Sequence, residues 1–370
     1  MRTPLLAAIL LASACQPYNL APSPVRRPAT PTDHGFTSPP SADVVPFLAF
    51  HSDFWVNLHH FLNALARARL ATLDSRQPLM LAAVADAPMI PFATDAARAD
   101  WDEAIAIYAD AIAKWSISSD SALVDLDYHL ASLASSPVQT IAYDPQIPPI
   151  IRRALVLAEP AYGARWWPAH DAANRAWMLS ARAMINGSSP AIQPNIERAL
   201  GQPWNPERRT VEVVRYANAS GMYAAERPMM ITVSSAYASA HQDDAIERVY
   251  SAAASSETDL LVAALRDAGM NPTSPQVREL LDNIVRYSVG DAIVRAIPSH
   301  AFLFGTITEH NRYLIEKYWV PHLQGRVRCG RRRWGSRGSS NEDGELQLNT
   351  CPVLSGTAYN FSSPTGFDLS

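Results

Sequence analysis

Apolar residues recur every three or four positions through most of residues 46–325, which predicts a domain built mainly from helices. The first apolar stripe covers residues 47–73 and predicts a long core helix. A later helix covers residues 245–256, because Ile246, Val249, Tyr250 and Ala253 recur at helical spacing on one apolar face. Further helices are predicted over residues 97–115, 120–133 and 150–158, in a segment opened by Trp167-Pro168, and in one that Pro275 begins and that includes residues 280–297.

Two strands are predicted in the second half of the chain. Residues 209–216 and 228–235 are rich in β-branched and apolar side chains, and Asn218-Ala-Ser-Gly221 between them predicts a turn. The pattern alone predicts a hairpin that covers helices, and no strand alternation appears before residue 150. The predicted fold class is therefore mainly α with a small β hairpin or sheet.

The two ends of the chain differ from this domain. Residues 1–15 combine one basic residue, a short apolar run and small residues, which predicts an export signal. Leu11-Ala-Ser-Ala-Cys15 resembles a bacterial lipobox and predicts lipidation of Cys15, with ordinary cleavage after Ala14 as the alternative. Residues 16–45 are rich in proline and predict an extended tether.

The last segment, residues 326–370, is rich in Arg, Ser and Gly and predicts a disordered tail, with a shifted reading frame as an alternative origin. Cys329 and Cys351 lie in it, and pairing between them stays open.

Composition narrows the classes of function. The chain has 370 residues, of which 48% are hydrophobic, so it is long enough to bury a large core. Its formal net charge of -4 does not suggest a nucleic-acid partner. The sequence contains no nucleophile elbow, phosphate loop, dinucleotide fingerprint or cysteine metal knuckle, and its ten histidines include no pair at i, i+4. A Ser-His-Asp arrangement assembled in space stays open.

A resemblance appears when the polar and aromatic landmarks are taken in order. His51-Ser-Asp-Phe-Trp-Val-Asn-Leu-His-His60, Trp166-Trp-Pro-Ala-His-Asp-Ala-Ala-Asn-Arg-Ala-Trp177, Ile231-Thr-Val-Ser-Ser235 and the helix over 245–256 resemble secreted bacterial proteins related to gluzincin-type zinc metallopeptidases. The resemblance implies a zincin-like, helix-dominated α+β domain over residues 46–325. In that family the helix carries H-E-x-x-H, which binds zinc through two imidazoles and activates water through the glutamate.

The matching positions in this chain read Ser251-Ala-Ala-Ala-Ser255. Ser251 and Ser255 stand where the family has its histidines, and Ala252 stands where it has its glutamate. The third zinc ligand of the family would fall at Asp291. Serine is a poor zinc ligand, and one carboxylate cannot hold the ion alone. The resemblance thus implies a peptidase scaffold without catalytic residues and without a cofactor.

Other candidate residues carry two interpretations each. His170, Asn174 and Trp177 fall on or near one side of a helix and could line a binding cleft, although a hydrogen-bonded staple between helices is the favoured interpretation. Asp291 is a cleft candidate too, and an ion pair with Arg286 or Arg295 is the plainer explanation of it. His59 and His60 are about 100° apart on their helix, which predicts one buried and one exposed histidine rather than a metal pair.

Three hypotheses for function follow. The leading one is an exported lipoprotein, in the outer membrane or the periplasm, that is held to the membrane by its lipid and binds a peptide or protein without cutting it. The second is an active enzyme: a zinc metallopeptidase with other ligands, such as His241, His170 and Asp291, or another hydrolase. The third is a structural envelope lipoprotein, for which a shallow or absent cleft along the helix over 245–256 would be the sign.

Overall fold

The computed structural model describes residues 47–70, 78–86, 92–134, 136–200, 203–204, 208–217, 221–225, 230–255, 261–263, 266, 271–297, 299–300, 307, 312–313 and 315–316. The predicted export signal, the tether over 16–45, the tail over 326–370 and all three cysteines lie outside these residues.

Four short strands form one mixed sheet. They are β1 (Leu48–His51), β2 (Arg209–Val214), β3 (Met222–Ala225) and β4 (Met230–Ser234), in the order β1-β2-β4-β3. β1 and β4 both pair parallel to β2, whereas β3 pairs antiparallel to β4. Among the described strands, β3 therefore lies at one edge of the sheet.

The predicted hairpin is wrong, because its two strands are parallel neighbours. β4 is buried along its whole length and β2 at all positions but one, as expected of strands covered on both faces. The chain segment between them includes β3, which pairs antiparallel with the side of β4 that faces away from β2. β1 also lies within a range predicted as helix, because Phe47, Phe50 and Phe54 happen to continue the helical spacing into the strand.

Helices make up most of the described residues, so the mainly α fold class with a small sheet is confirmed. They are α1 (Phe54–Arg69), α2 (Pro78–Asp86), α3 (Asp95–Ala111), α4 (Ser121–Leu133), α5 (Val138–Tyr143), α6 (Pro149–Arg165), α7 (Trp167–Leu200), α8 (Ser235–Ala238), α9 (Gln242–Ala254) and α10 (Pro275–Ala296). None of the helices in the described part of the chain combines the length and apolar character that a membrane crossing requires.

The sheet lies between two hydrophobic cores. On one side, Val211 and Val213 of β2 pack with apolar residues of α7, α9 and α10. On the other side, Val214 packs with a core formed by α1 and the helices from α2 to α6. Because side chains alternate along a strand, Glu212 points to the same side as Val214. α1 is buried from its first residue through Ala66, so it forms the centre of this second core.

Candidate functional site

A pocket of about 330 Å³ opens beside β3, and we call it the edge pocket. Its walls come from β3, α9 and α10, with the first residue of β2 also contributing. The described lining residues are Arg209, Met222, Tyr223, Ala224, Ala225, Arg248, Ser251, Ala252, Ser255, Asp282, Val285 and Arg286. A pocket along α9 is the opposite of the shallow or absent cleft that the purely structural hypothesis predicts.

Helical periodicity explains which residues face the pocket. On α9 the lining residues are Arg248, Ser251, Ala252 and the capping Ser255, which follow one another at intervals of three, one and three positions. The opposite face of α9, which includes Val249, packs into the core with α10. α10 contributes Asp282, Val285 and Arg286 at the same helical spacing. Two packed helices thus present one polar face each to the same space.

The backbone of β3 offers hydrogen-bonding groups to the pocket. The amide of Ser234 donates to the carbonyl of Gly221 at 2.8 Å, and Tyr223 lies opposite Thr232 in the antiparallel ladder. Residues of an antiparallel strand point their backbone groups alternately toward and away from the partner. Met222 and Ala224 therefore point theirs away from β4, toward the exposed edge. Consistent with this, the guanidinium of Arg248 donates to the Met222 carbonyl at 3.1 Å.

Positive charge dominates the described lining. Three arginines, Arg209, Arg248 and Arg286, face a single carboxylate, Asp282, which leaves a formal charge of +2. Asp244, which is not among the described lining residues, pairs with Arg248 at 3.5 Å and balances part of this charge. The Arg209 side chain is only 1% exposed, so its charge acts in a region where water screens it weakly.

Two serine hydroxyl groups line the same pocket as the arginines. Ser251 is 7% exposed, and its Oγ makes no hydrogen bond with the described residues. The Oγ of Ser255 donates to the carbonyl of Ala252 at 2.8 Å. The described lining thus offers hydroxyl and guanidinium donors, and it contains no imidazole that could accept a proton. Such a set can bind and orient carbonyl or carboxylate oxygens.

Of the four positions expected from the metallopeptidase resemblance, the structure brings three together at the edge pocket, and the fourth is not among its described lining residues. Ser251, Ala252 and Ser255 all line the edge pocket. Asp291, expected from the resemblance as the third position, is not among the described lining residues and pairs instead with Arg295 at 2.7 Å. The acid that does line the pocket is Asp282, which sequence reasoning missed. The sequence does place Asp282 three residues before Val285 and four before Arg286, a spacing that puts all three on one face of a helix.

His170, Asn174 and Trp177 are buried elsewhere, and none is among the described residues that line the edge pocket. His170 bonds the Tyr162 hydroxyl at 3.0 Å and the Asp86 carboxylate at 3.1 Å. Burial lowers the pKa of His170, although Asp86 acts in the opposite direction. The structure thus shows the hydrogen-bonded staple that the sequence favoured, and a role for these residues in a cleft stays a prediction.

Asn174 belongs to a buried group of polar residues that we call the closed polar layer, consisting of Ser52, Asp53, Asn57, Asn174, Glu212 and Ser235. The Asn174 Nδ2 shares its two N–H groups among Ser52 at 3.0 Å, Asn57 at 3.0 Å and the Val213 carbonyl at 3.1 Å, and its Oδ1 accepts from Ser235 at 2.6 Å. These bonds join α7 to β2, to the start of α1 and to the first residue of α8, which directly follows β4. The layer thus holds the sheet against α1 and α7.

Two carboxyl groups of this layer are in contact. The Asp53 amide donates to Glu212 Oε1 at 2.7 Å, so the two acids lie side by side in the buried layer. Burial raises the pKa of Asp53 to about 6, and burial together with the Asp53 charge raises the pKa of Glu212 well above its ordinary value. The pair therefore holds a proton at mildly acidic pH. Sequence reasoning missed it, although an acid inside the apolar run Val211-Glu-Val-Val214 was a visible signal.

A second buried cluster, formed by Asp127, His60 and Tyr223, joins β3 to α4 and α1. Asp127 accepts from the hydroxyl of Tyr223, a β3 residue, at 2.5 Å and contacts His60 at 3.3 Å. Burial alone would raise the pKa of Asp127, but His60 and these hydrogen bonds lower it. His60 and His59 are both buried, so the prediction of one exposed histidine is wrong. The reason is that α1 is surrounded on all sides, and His59 bonds the Tyr108 hydroxyl at 2.9 Å.

The alternative ligand set does not converge. His170 bonds Tyr162 and Asp86, whereas His241 bonds the carbonyl of its neighbour Tyr237 at 3.1 Å, and Asp291 pairs with Arg295. Within the described ranges, no three His, Cys, Asp or Glu side chains are arranged to hold a metal ion.

No family model, curated protein or solved structure matches this chain. The relation to zinc metallopeptidases thus stays a prediction based on residue landmarks, and the function of the edge pocket has to be argued from its own geometry.

Proposed function

We propose that this protein binds an extended peptide or a protein segment in the edge pocket and does not cut it. The observation that carries the proposal is the position of Ala224, whose amide and carbonyl point away from β4 beside a pocket of about 330 Å³. An extended peptide can add to such an edge as a further strand through backbone hydrogen bonds. The occupant is therefore a strand-forming segment.

The side chains of the pocket support binding rather than hydrolysis. Ser251, Ala252 and Ser255 occupy the α9 wall, where the metallopeptidases that the chain resembles carry zinc ligands and the catalytic glutamate. Hydroxyl groups can donate to a peptide carbonyl, but a serine does not replace an imidazole on zinc. The proposal includes the expectation from the sequence that the protein is exported and held to the membrane through a lipid on Cys15.

Peptide binding is tested with the purified full chain and seven-residue peptides of alternating Thr and Val. The peptides have acetyl and amide ends, a fluorescein label and each of the twenty amino acids in turn at the centre, and binding is measured by fluorescence anisotropy. We expect Ala224→Pro to weaken binding of the best peptides roughly tenfold, because proline removes an edge-facing amide donor and adds a ring there.

The matched control is Ala224→Ser, which retains the amide and should bind within about threefold of the unmodified protein. Proline is tolerated at positions of edge strands whose amide points outward, so Ala224→Pro should unfold cooperatively at nearly the same urea concentration. Absence of binding by every peptide, or equal binding by the two variants, would overturn the proposal.

The absence of zinc chemistry is tested separately. Elemental analysis of the protein after dialysis against micromolar zinc should give far less than one zinc per chain, and the bound peptides should remain intact. One zinc per chain together with peptide cleavage that a chelator abolishes would replace this proposal with an active metallopeptidase.

A further inference from the structure

We infer that the edge pocket selects a peptide that carries an acidic side chain, Asp or Glu, at the residue beside Ala224. This inference rests on the proposed peptide binding and specifies the chemistry of its ligand. Three observations support it: the positive charge of the pocket, the Arg286 side chain without a partner among the described residues, and the direction from which the arginines reach the strand edge.

The charged residues of the described lining are mostly arginines. Arg209, Arg248 and Arg286 come from three different elements, and Asp282 is the only carboxylate among the described lining residues. Counted over the described lining residues and Asp244, the formal charge remains positive. A carboxylate entering this space would meet guanidinium groups on more than one side, and charge-assisted hydrogen bonds of this kind are stronger than neutral ones.

Arg286 differs from the other two arginines of the pocket in its partners. The sequence left open whether Asp291 pairs with Arg286 or with Arg295, and the structure pairs it with Arg295 at 2.7 Å. The Arg286 side chain makes no hydrogen bond or ion pair with any other described residue, and it lines the pocket. Its planar donor set fits a carboxylate in a bidentate manner. Arg286 is therefore the residue that we expect to contribute most to selecting an acid.

Arg248 is already fixed in position. Its guanidinium donates to the Met222 carbonyl at 3.1 Å and lies 3.5 Å from the Asp244 carboxylate. Nearby, the Ser251 hydroxyl is buried without a hydrogen bond to the described residues. A buried hydroxyl without a partner is costly, and a carboxylate oxygen of a ligand would satisfy it. Preorganised donors of this kind lose little conformational freedom when the ligand binds.

The geometry points to a side chain rather than to the end of a peptide. Ala224 has strand residues on both sides, Tyr223 and Ala225, so a segment paired with it continues in both directions. Arg248 and Arg286 reach the pocket from the two helices beside the strand. Side chains of a paired segment extend sideways from its backbone, whereas a terminal carboxylate lies along it.

The test uses three of the blocked peptides described above, with Glu, Gln or Lys at the centre. We expect the Glu peptide to bind at least roughly tenfold more tightly than the Gln peptide, and the Lys peptide to bind most weakly. Arg286→Gln should reduce the preference for Glu over Gln to about threefold or less. The matched control is Arg278→Gln, which removes an exposed arginine of the same helix and should leave the preference unchanged.

The outcomes separate the inference from the proposed function. Equal binding of the Glu and Gln peptides, with both still weakened by Ala224→Pro, would overturn selection of an acid and leave peptide binding in place. A Gln peptide with a free carboxyl end that binds as tightly as the blocked Glu peptide would show recognition of the chain end and would overturn the inference. Absence of binding by all three peptides would overturn both.

Discussion

The closed polar layer and the edge pocket use similar side chains for different purposes. In the layer, the Asn174 side chain has four hydrogen-bonding partners in other parts of the fold, and the Asp53 amide donates to Glu212. In the edge pocket, the side chains of Ser251 and Arg286 make no hydrogen bond with the described residues. Polar groups that are satisfied within the protein stabilise its fold, whereas those left beside an open cavity are available to a ligand.

The largest effect should come from removing Asn174. Asn174→Ala deletes four buried hydrogen bonds and leaves Ser235 and Asn57 without that partner. We expect a loss of about 4 kcal/mol in the free energy of unfolding, since unsatisfied buried groups and a cavity add to the lost bonds. Urea unfolding followed by circular dichroism measures this change.

The control for that substitution is Asn186→Ala, at an exposed position of the same helix. It should change the free energy of unfolding by less than about 0.5 kcal/mol. Equal effects at the two positions would remove the distinction between the closed polar layer and the protein surface.

The second effect depends on pH and comes from the carboxyl pair. The Asp53 pKa is raised from 3.8 to about 6 in the folded protein, so the folded state holds this proton more tightly than the unfolded chain does. The stabilisation is fully present below pH 3.8 and is lost as the pH rises through about 6. Asp53→Asn mimics the protonated acid, so above pH 6 we expect the variant to be more stable by about 2 kcal/mol.

This prediction is measured as the difference in urea midpoint between the variant and the unmodified protein from pH 4 to pH 8. The difference should be near zero at pH 4 and grow as the pH rises through about 6. Asp110→Asn, at an exposed position of α3, should give a flat difference. A flat difference for Asp53→Asn as well would contradict a shared proton.

A third substitution connects the two regions through β3. Tyr223→Phe removes the hydroxyl that bonds the buried Asp127 at 2.5 Å while the aromatic ring remains. We expect a loss of about 2 kcal/mol in the free energy of unfolding, because hydrogen bonds to charged groups are worth roughly 1.5 to 3 kcal/mol. Peptide binding should fall only about threefold, since Ala224 retains its edge-facing groups.

Tyr128→Phe, at an exposed position of α4, is the control and should affect neither stability nor binding. If Tyr223→Phe weakens binding tenfold with unchanged stability, the hydroxyl itself contacts the peptide, and the division between the two regions is wrong.

Most of the helical part of the fold was predictable, because a repeat of three to four residues is a local property of the sequence. The predicted helices over residues 97–115 and 120–133 correspond to α3 and α4. Strand pairing was not predictable in the same way, since β2 pairs with β1, more than 150 residues upstream, and pairs parallel rather than antiparallel with β4, the next predicted strand. β1 was missed because its phenylalanines fit helical spacing.

The candidate site was predictable only in part. The resemblance drew attention to Ser251, Ala252 and Ser255, which line one pocket, but it gave Asp291 rather than Asp282 on α10. α10 carries apolar residues on a broad arc, so the sequence alone does not show which side faces α9. The closed polar layer was missed because its bonds join residues distant in the sequence, such as Asn57 and Asn174, which are 117 positions apart.

The smallest effect should come from substituting Asp291, which is not among the described residues of the edge pocket. The Asp291 carboxylate is 38% exposed and pairs with Arg295 one helical turn away, so Asp291→Asn should change the free energy of unfolding by less than about 0.5 kcal/mol. It should also leave binding of the Glu peptide unchanged. Asp282→Asn, which removes the one carboxylate of the described lining, should instead tighten that binding about threefold. If Asp291→Asn altered binding and Asp282→Asn did not, the acid facing the ligand would be Asp291, and the alignment with the metallopeptidase helix would regain its third position.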